Sequence, residues 1–218
     1  MMNKLALFDC DGTMVDGQAN ICSAMDQAFV AHGLTPPDHH LTRRIVGLSL
    51  HEAVRHLLPE QDDELAAAVT QSYKNGFFEL RQQNAVHEPL YDGLVDLIDR
   101  LEDDGWMLGV ATGKSDRGLN HCLEVHGLSK RFVTLQTADR HPSKPHPAMI
   151  ELAISEAGAC AETTAMIGDT TFDMEMGVNA GVRSIGVDWG YHDREELLSA
   201  GAQTVAVTMD ELYETLNR

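Results

Sequence analysis

Short apolar segments recur along the chain, and helical patterns lie between most of them. The segments that we predict as strands are residues 5–8, 107–111, 165–168, 183–187 and 204–207, with a sixth near 132–136. Alternation of strands with helices is typical of a parallel sheet that helices cover. The chain is therefore predicted to have an α/β fold.

One long stretch, residues 16–86, interrupts this alternation. It contains no convincing strand but shows helical periodicity at 21–31, 50–58 and 63–84. About seventy residues without a strand are more than a loop inside a compact domain needs. We predict an α/β core formed by residues 1–15 and 87–218, with residues 16–86 inserted as an all-helical cap.

The net charge of the chain limits the kinds of molecule that it is expected to bind. Its 34 Asp and Glu residues face 16 Lys and Arg residues, for a formal net charge of -18 over 218 residues, and no basic cluster interrupts the acidic background. A phosphate backbone would meet broad repulsion. Nucleic acid is not an expected partner, and the sequence carries no signal for an oligomeric state.

The cysteines and the apolar runs indicate a compartment. Cys10, Cys22, Cys122 and Cys160 are scattered without a C-x-x-C pair, which favours free thiols in a reducing environment. The first apolar run is too short for a signal-peptide core, and no later run reaches the length of a membrane span. We expect a cytoplasmic protein that does not interact with a membrane.

Two carboxylates, Asp9 and Asp11, follow the first predicted strand and stand one residue apart. In extended backbone, alternate side chains share a face, so the pair can converge where the strand runs into a turn. One carboxylate could act as a nucleophile and the other as a general acid and base. Attack on a phosphate dianion also calls for a hard cation with oxygen ligands, for which Mg²⁺ is suited.

A second acidic corner follows the predicted strand at 165–168. Asp169 and Asp173 are four residues apart, which puts both carboxylates on one face if a helix begins there. The alternative is structural, because Asp169 or Thr170 could simply cap that helix. Two acidic strand ends in one chain favour a site.

Two further segments carry groups that bind phosphate. Thr112 and Gly113 follow the strand at 107–111 and offer a hydroxyl and backbone N–H groups. Lys144, in a proline-bearing loop, could neutralise both phosphate and carboxylates. Gly113, Lys114 and Ser115 also match the end of a nucleotide-binding P-loop, but the first glycine of that motif falls on Leu108, which leaves it a minor alternative.

Together these motifs resemble the haloacid dehalogenase (HAD) superfamily, in particular its phosphoglycolate phosphatase-like branch. The resemblance rests on the sequence DCDGT at residues 9–13, Thr112, Lys144 before Pro145, and Gly168-Asp169 with Asp173. It covers nearly the whole chain. It implies a Rossmann-like parallel sheet core with an inserted all-helical cap domain.

The resemblance also implies roles. Asp9 would attack phosphorus to form an aspartyl phosphate, while Asp11 protonates the leaving alcohol and later deprotonates water. Thr112, Gly113 and Lys144 would hold the phosphoryl oxygens.

The same resemblance implies a Mg²⁺ site. Asp9, the backbone carbonyl of Asp11 and Asp169 would be its ligands. Asp173 would support the metal through water or orient Lys144.

Residues of the first motif separate reactions within the superfamily. Dehalogenases and phosphonate-cleaving members lack the second aspartate, whereas Asp11 is present here, so hydrolysis of a small phosphorylated metabolite is favoured. 2-Phosphoglycolate is the first candidate substrate. A β-phosphoglucomutase-like sugar-phosphate mutase, which usually carries Val or Ile where Thr13 stands, and a noncatalytic phosphate-binding relative remain alternatives.

The predicted cap contains candidate substrate contacts. Arg43, Arg44 and Gly47 lie in a segment that, in similar enzymes, faces the phosphate site, and a cation there could bind a substrate carboxylate. Two pairs of histidines also occur: His39 and His40, and His141 and His146. Because Mg²⁺ prefers oxygen ligands, we predict no second metal site at these histidines.

Overall fold

The computed structural model describes residues 3–58, 62–83 and 85–218. Its six strands form one parallel sheet in the order β3-β2-β1-β4-β5-β6, so the predicted α/β fold is confirmed. The strands are β1 (Asn3–Phe8), β2 (Trp106–Thr112), β3 (Thr134–Thr137), β4 (Ala159–Gly168), β5 (Arg183–Val187) and β6 (Thr204–Ala206).

Ten helices connect the strands of the described chain. Four of them lie in the segment predicted as a cap: α1 (Gln18–Ala31), α2 (His39–Arg44), α3 (Leu50–Leu57) and α4 (Asp63–Gln82). The other six are α5 (Leu94–Asp103), α6 (Asp116–Val125), α7 (Ala148–Ala157), α8 (Thr171–Asn179), α9 (Arg194–Ser199) and α10 (Met209–Leu216).

The central strand β1 is buried on both faces. Leu5 and Leu7 pack into one apolar cluster with residues of α7, whereas Ala6 and Phe8 pack into another with residues of α5, α6 and α10. All four side chains are at most 1% exposed. Alternate residues of a strand point to opposite faces, so helices on both sides of the sheet explain why this strand is apolar throughout.

Helices α1, α3 and α4 build separate apolar clusters. One contains Met25, Phe29, Val54 and Val69, and a second is formed around Phe77. Their members come from the segment between the first two strands, apart from partly buried residues such as Tyr191 at the edge of the second cluster. These clusters support the proposal that residues 16–86 form a cap with its own interior.

The predicted strands match the sheet, but several ends differ. The strand predicted at 165–168 begins at Ala159. Its first five residues, ACAET, are small or polar and partly exposed, so they carry no run of large apolar side chains that would predict a strand. The third strand occupies Thr134–Thr137 rather than 132–136. Within the described chain, no helix is long and apolar enough to span a membrane, and all four cysteines are free.

Candidate active site

The carboxyl ends of β1, β2 and β4 meet at one edge of the sheet. Phe8 at the end of β1 is level with Val110 of β2 and Ile167 of β4. The backbone N–H of Asp9 donates to the carbonyl of Ile167 at 2.9 Å. This pairing fixes the start of the loop after β1, and it brings three of the predicted motifs to one edge, where open α/β sheets bind ligands.

Lys144 joins the fourth motif to this edge. Its Nζ lies 2.5 Å from Oδ1 of Asp173 and 3.0 Å from Oδ1 of Asp9, and the lysine is 2% exposed. Burial alone would lower the pKa of Lys144, but the charges of Asp173 and Asp9 outweigh it and hold that pKa above its ordinary value. Lys144 is therefore a fixed cation between two carboxylates.

Asp9, Asp169 and Asp173 form a compact acidic cluster. One carboxylate oxygen of each lies within 4.8 Å of the others, and all three residues are buried. Burial first, and then the neighbouring carboxylates, raise the pKa of Asp169 well above its ordinary value, and burial likewise raises that of Asp9. Three acids against one ammonium leave a negative excess in a place that water does not reach.

The donor set of this cluster fits a divalent cation such as Mg²⁺. Neither oxygen of Asp9 accepts a well-aligned hydrogen bond from the described part of the chain, although both are buried. Buried carboxylate oxygens without a donor are rare unless a ligand or metal ion binds them. Asp9, Asp169 and Asp173 could hold such an ion, whereas the side chain of Asp11 lies outside this cluster.

Asp169 is held by contacts that leave no space around it. Its oxygens accept from the hydroxyl of Thr13 at 2.8 Å and from the backbone N–H of Tyr191 at 2.9 Å. Gly12 has φ +88°, and a Cβ there would lie 2.1 Å from Oδ2 of Asp169. Only glycine meets both demands, which explains why a glycine follows the paired acids.

Asp173 lies on the first turn of α8, as the spacing of the second acidic corner predicts. Its Oδ2 accepts from the backbone N–H of Thr170 at 3.1 Å and from the Thr170 hydroxyl at 2.7 Å, while Oδ1 faces Lys144. The capping alternative is therefore observed for Thr170, whereas the role of Asp173 in a site stays a prediction. One carboxylate starts the helix and also orients the buried lysine.

Asp11 has partners that the sequence did not reveal. Nζ of Lys114 lies 2.8 and 2.9 Å from its two oxygens and 2.9 Å from Oε1 of Glu88. Burial would lower the pKa of Lys114, but Asp11 and Glu88 outweigh it and raise that pKa well above its ordinary value. Lys114, which belongs to the P-loop-like pattern kept as a minor alternative, is thus bound to carboxylates.

Thr112 and Gly113 lie beside the cap segment. Thr112 is 1% exposed and its hydroxyl accepts from the backbone N–H of Lys114 at 3.2 Å. A Cβ on Gly113 would lie 2.5 Å from the carbonyl oxygens of both Gly47 and Leu48. The cap backbone therefore approaches the predicted phosphate-binding loop closely, and Gly47 lines the same cavity as Asp9.

The structure places Arg43 and Arg44 elsewhere than predicted. Neither lines the cavity above Asp9. Arg44 instead makes a bidentate ion pair with Glu196 of α9. Its Nη2 lies 2.6 Å from Oε1 of Glu196, and its Nη1 contacts Oε2. The predicted carboxylate contact is wrong for Arg44 in this arrangement, because a carboxylate of the chain itself already occupies its guanidinium.

A cavity of about 940 Å³ opens above Asp9 between the sheet edge and the helices α1, α3 and α4. The side chains of Phe77, Phe78 and Arg81 line it from α4, and Arg117 lines it from α6. None of these residues stands in a recognisable motif. Their function depends on how α4 lies over the sheet, which periodicity does not reveal.

Comparisons with known proteins agree with this geometry. Residues 6–187 match the family model described as haloacid dehalogenase-like hydrolase. "Probable phosphatase IndB" of Dickeya dadantii is 38% identical over 217 residues, which cover 97% of this chain and 92% of that protein. A "Phosphoglycolate phosphatase" of Agrobacterium fabrum is 29% identical over 194 residues, or 88% of this chain and 83% of the relative.

Among solved structures, a predicted phosphatase from Clostridium acetobutylicum superposes with a TM-score of 0.87 at 26% identity. The match covers 100% of this chain and 99% of the other. Sequence and structure thus point to the same group of proteins.

Proposed function

Because the chain belongs to the haloacid dehalogenase-like hydrolase family, we propose that this phosphatase uses Mg²⁺ and a covalent intermediate on Asp9. Asp9 carries the proposal, because both of its oxygens are buried, lack an aligned donor in the described chain and lie beside Lys144. A carboxylate held in this way is free to react with a phosphorus atom in the cavity.

In the first step, an oxygen of Asp9 forms a bond to phosphorus while the bond from phosphorus to the ester oxygen breaks. Asp11, which lines the same cavity, gives a proton to the departing alcohol. In the second step, Asp11 takes a proton from water, whose oxygen attacks phosphorus. Inorganic phosphate leaves and Asp9 is restored.

The other residues neutralise charge and position the substrate. Lys144 and the groups of Thr112 and Gly113 bind the phosphoryl oxygens. When bound by Asp9 and Asp169, with Asp173 beside it, Mg²⁺ would supply the positive charge that lets two anions approach each other. The carbonyl of Asp11 completes this proposed ligand set.

A substrate panel tests the proposal. Release of inorganic phosphate from small monoesters should require Mg²⁺ and should be lost in Asp9→Asn. 2-Phosphoglycolate belongs in the panel because relatives such as the one from Agrobacterium fabrum carry that name. The matched control is Asp188→Asn, since Asp188 follows β5 at the same end of the sheet but is exposed and outside the cavity.

Three outcomes distinguish the alternatives. Full activity in Asp9→Asn would remove the proposed nucleophile. Isomerisation of a sugar phosphate faster than phosphate release would identify a mutase. Tight binding of phosphate esters with no turnover across the panel would identify a noncatalytic relative.

A further inference from the structure

The cavity above Asp9 is large for a two-carbon substrate. At about 940 Å³ it lies near the upper end of the ~300–1,000 Å³ typical of sites for drug-sized ligands. Asp9 and Asp11 line it at the edge of the sheet, and residues of α4 and of the start of α6 line the remainder. A ligand that fills it must extend well beyond its phosphate.

Two arginines face this cavity from opposite sides of the cleft. Arg81 lies near the end of α4, in the proposed cap, and Arg117 lies on the first turn of α6, in the core. Each guanidinium lies near an aromatic ring of α4: Arg81 is 5.9 Å from the ring centroid of Phe77, and Arg117 is 5.5 Å from that of Phe78. The rings fix both cations at the cavity wall.

These arginines lack a carboxylate partner of their own. Within the part of the chain that the structure describes, no acidic oxygen lies within 4.0 Å of either guanidinium. Burial first, and then the charge of Arg117, lower the pKa of Arg81, so the two cations are close enough to repel each other. Like charges held together without a counter-ion are typical of a site that receives an anion.

The acids near the two arginines are already engaged. Asp116 pairs with Arg140 and accepts from the hydroxyl of Thr137. Asp139 accepts the backbone N–H of Asp116, and Glu88 is bound by Lys114. No carboxylate of the described chain is therefore paired with Arg81 or Arg117, and both guanidinium groups are available to an anion in the cavity.

We infer that the substrate is a phosphate monoester with a second anionic group, a carboxylate or a second phosphate, at the end remote from the scissile phosphorus, where Arg81 and Arg117 bind it. This inference rests on the proposed function and names its substrate class. The apolar body between the two anionic ends packs on Phe77 and Phe78. Because one arginine comes from each side of the cleft, this second group also draws the proposed cap onto the core.

Matched esters test the inference. Phenyl phosphate and 4-carboxyphenyl phosphate differ in the remote carboxylate alone. The wild-type protein should show a KM about 10- to 100-fold lower for the carboxylated ester, the range expected for charge-assisted hydrogen bonds. It should also favour that ester over 2-phosphoglycolate, in which a single methylene carbon separates the carboxylate from the ester oxygen.

Variants locate the effect. Arg81→Met and Arg117→Met should each raise KM for the carboxylated ester about tenfold or more, while kcat and the values for phenyl phosphate stay within about twofold. Arg81→Lys should retain part of the preference because it keeps the charge. The control Lys130→Met removes an exposed cation outside the cavity and should leave both esters unchanged.

A binding measurement separates this inference from the catalytic proposal. 4-Carboxybenzylphosphonate has a carbon–phosphorus bond in place of the ester, so its calorimetric Kd on the intact protein does not depend on turnover. Tighter binding than benzylphosphonate, lost in Arg81→Met and Arg117→Met, supports the second anion site even if no ester is hydrolysed. Equal affinity for the two phosphonates, or equal KM for the two esters, overturns it.

Discussion

At the scale of single residues, the acidic cluster and Lys144 bury an excess of negative charge. Asp9, Asp169, Asp173 and Lys144 are each at most 2% exposed, and they carry three negative charges against one positive. An uncompensated buried charge costs several kcal/mol. The site is therefore expected to lower the stability of the metal-free protein, while the same groups increase its affinity for a cation and a phosphate.

The raised pKa of Asp169 makes the stability of the metal-free protein depend on pH. Its value in the folded protein lies above the ordinary 3.8, so its contribution to stability is present at low pH and is lost as pH rises through the folded value. Without metal, the midpoint of thermal unfolding should fall as pH rises from the ordinary value of 3.8 toward and through the raised pKa of Asp169, and added Mg²⁺ should raise the midpoint most at the high end.

Scanning fluorimetry with EDTA or Mg²⁺ across that range checks this prediction. Asp169→Asn should show a flatter pH profile without metal and should gain little from Mg²⁺. The variant also separates the site from the repulsion among the many surface acids, which it leaves unchanged. A wild-type profile identical to that of Asp169→Asn would contradict the prediction.

Lys114 is a second residue whose removal should be costly. Its side chain is 10% exposed and those of Asp11 and Glu88 are 11% and 6% exposed, so Lys114→Met leaves two carboxylates buried without a partner. The expected loss is about 3 kcal/mol in the free energy of unfolding, measured by urea denaturation.

Two comparisons make this prediction specific. The double variant Lys114→Met with Glu88→Gln should recover part of the loss, because it removes one of the two unpaired charges. Lys130→Met, at an exposed position, should change the free energy little. A loss in Lys114→Met no larger than in Lys130→Met would show that the ion pairs do not stabilise the fold.

The residues to which we assign catalytic roles could be predicted from the sequence because they follow strands. Asp9, Thr112 and Asp169 come directly after or at the end of apolar segments, and the parallel topology then brings them together. Lys114 meets Asp11 across 103 residues of chain and Glu88 across 26, and nothing local marks either contact. Arg44 was misassigned because its partner, Glu196, belongs to a helix 152 residues away.

At the scale of elements, the ion pair between Arg44 and Glu196 connects α2 to α9. Arg44 lowers the pKa of Glu196 to about 2, chiefly by hydrogen bonding. The ordinary value is 4.5, so the pair stabilises the structure above about pH 4.5 and is lost as pH falls toward 2. Because Glu196 is 38% exposed, solvent screening keeps its contribution below ~1 kcal/mol.

Such a contact affects local opening more than global stability. In Glu196→Gln at neutral pH, backbone amides of α2 should exchange with deuterium severalfold faster, whereas those of β1 should not change. Hydrogen-exchange mass spectrometry measures both. Glu195→Gln, an exposed neighbour on the same helix, is the control, and faster exchange in that variant too would attribute the effect to α9 rather than to the ion pair.

The apolar periodicity of the sequence predicted where most strands and helices lie, but it did not predict where each of them begins and ends. The first half of β4 pairs with β1 at Asn3 and Ala159. This pairing depends on the backbone, so the side-chain pattern did not predict where the strand begins. Of the helices within residues 16–86, α1, α3 and α4 were predicted from their apolar spacing, whereas the short helix α2 was not. Their orientation over the sheet, which decides the cavity wall, depends on contacts between segments far apart in the chain.

At the scale of the whole molecule, a net charge of -18 surrounds a site that binds anions. Beyond a Debye length, about 8 Å at physiological salt, the acidic surface is screened, whereas Lys144, Arg81 and Arg117 act at contact distance. A compact substrate enters the cavity and meets those cations. A polyanion must also lie along the acidic surface.

A short 5′-phosphorylated DNA strand should therefore be a poor ligand. At low salt it should not inhibit hydrolysis of the best small ester at concentrations where that ester saturates the enzyme. Any inhibition should appear only as added salt screens the repulsion. Strong inhibition that weakens with salt would instead reveal a basic binding surface, and steady-state competition assays distinguish the two patterns.

The glycines packed around Asp169 have a consequence for engineering. A Cβ at Gly12 or Gly190 would lie 2.1 Å from atoms of that aspartate, so these two positions accept almost no residue other than glycine. Helix α4 is different, because Phe78 and Lys74 line the cavity yet remain exposed, and no described carboxylate depends on them. Libraries randomised along one face of α4 can thus search for new specificities without disturbing the chemistry beneath.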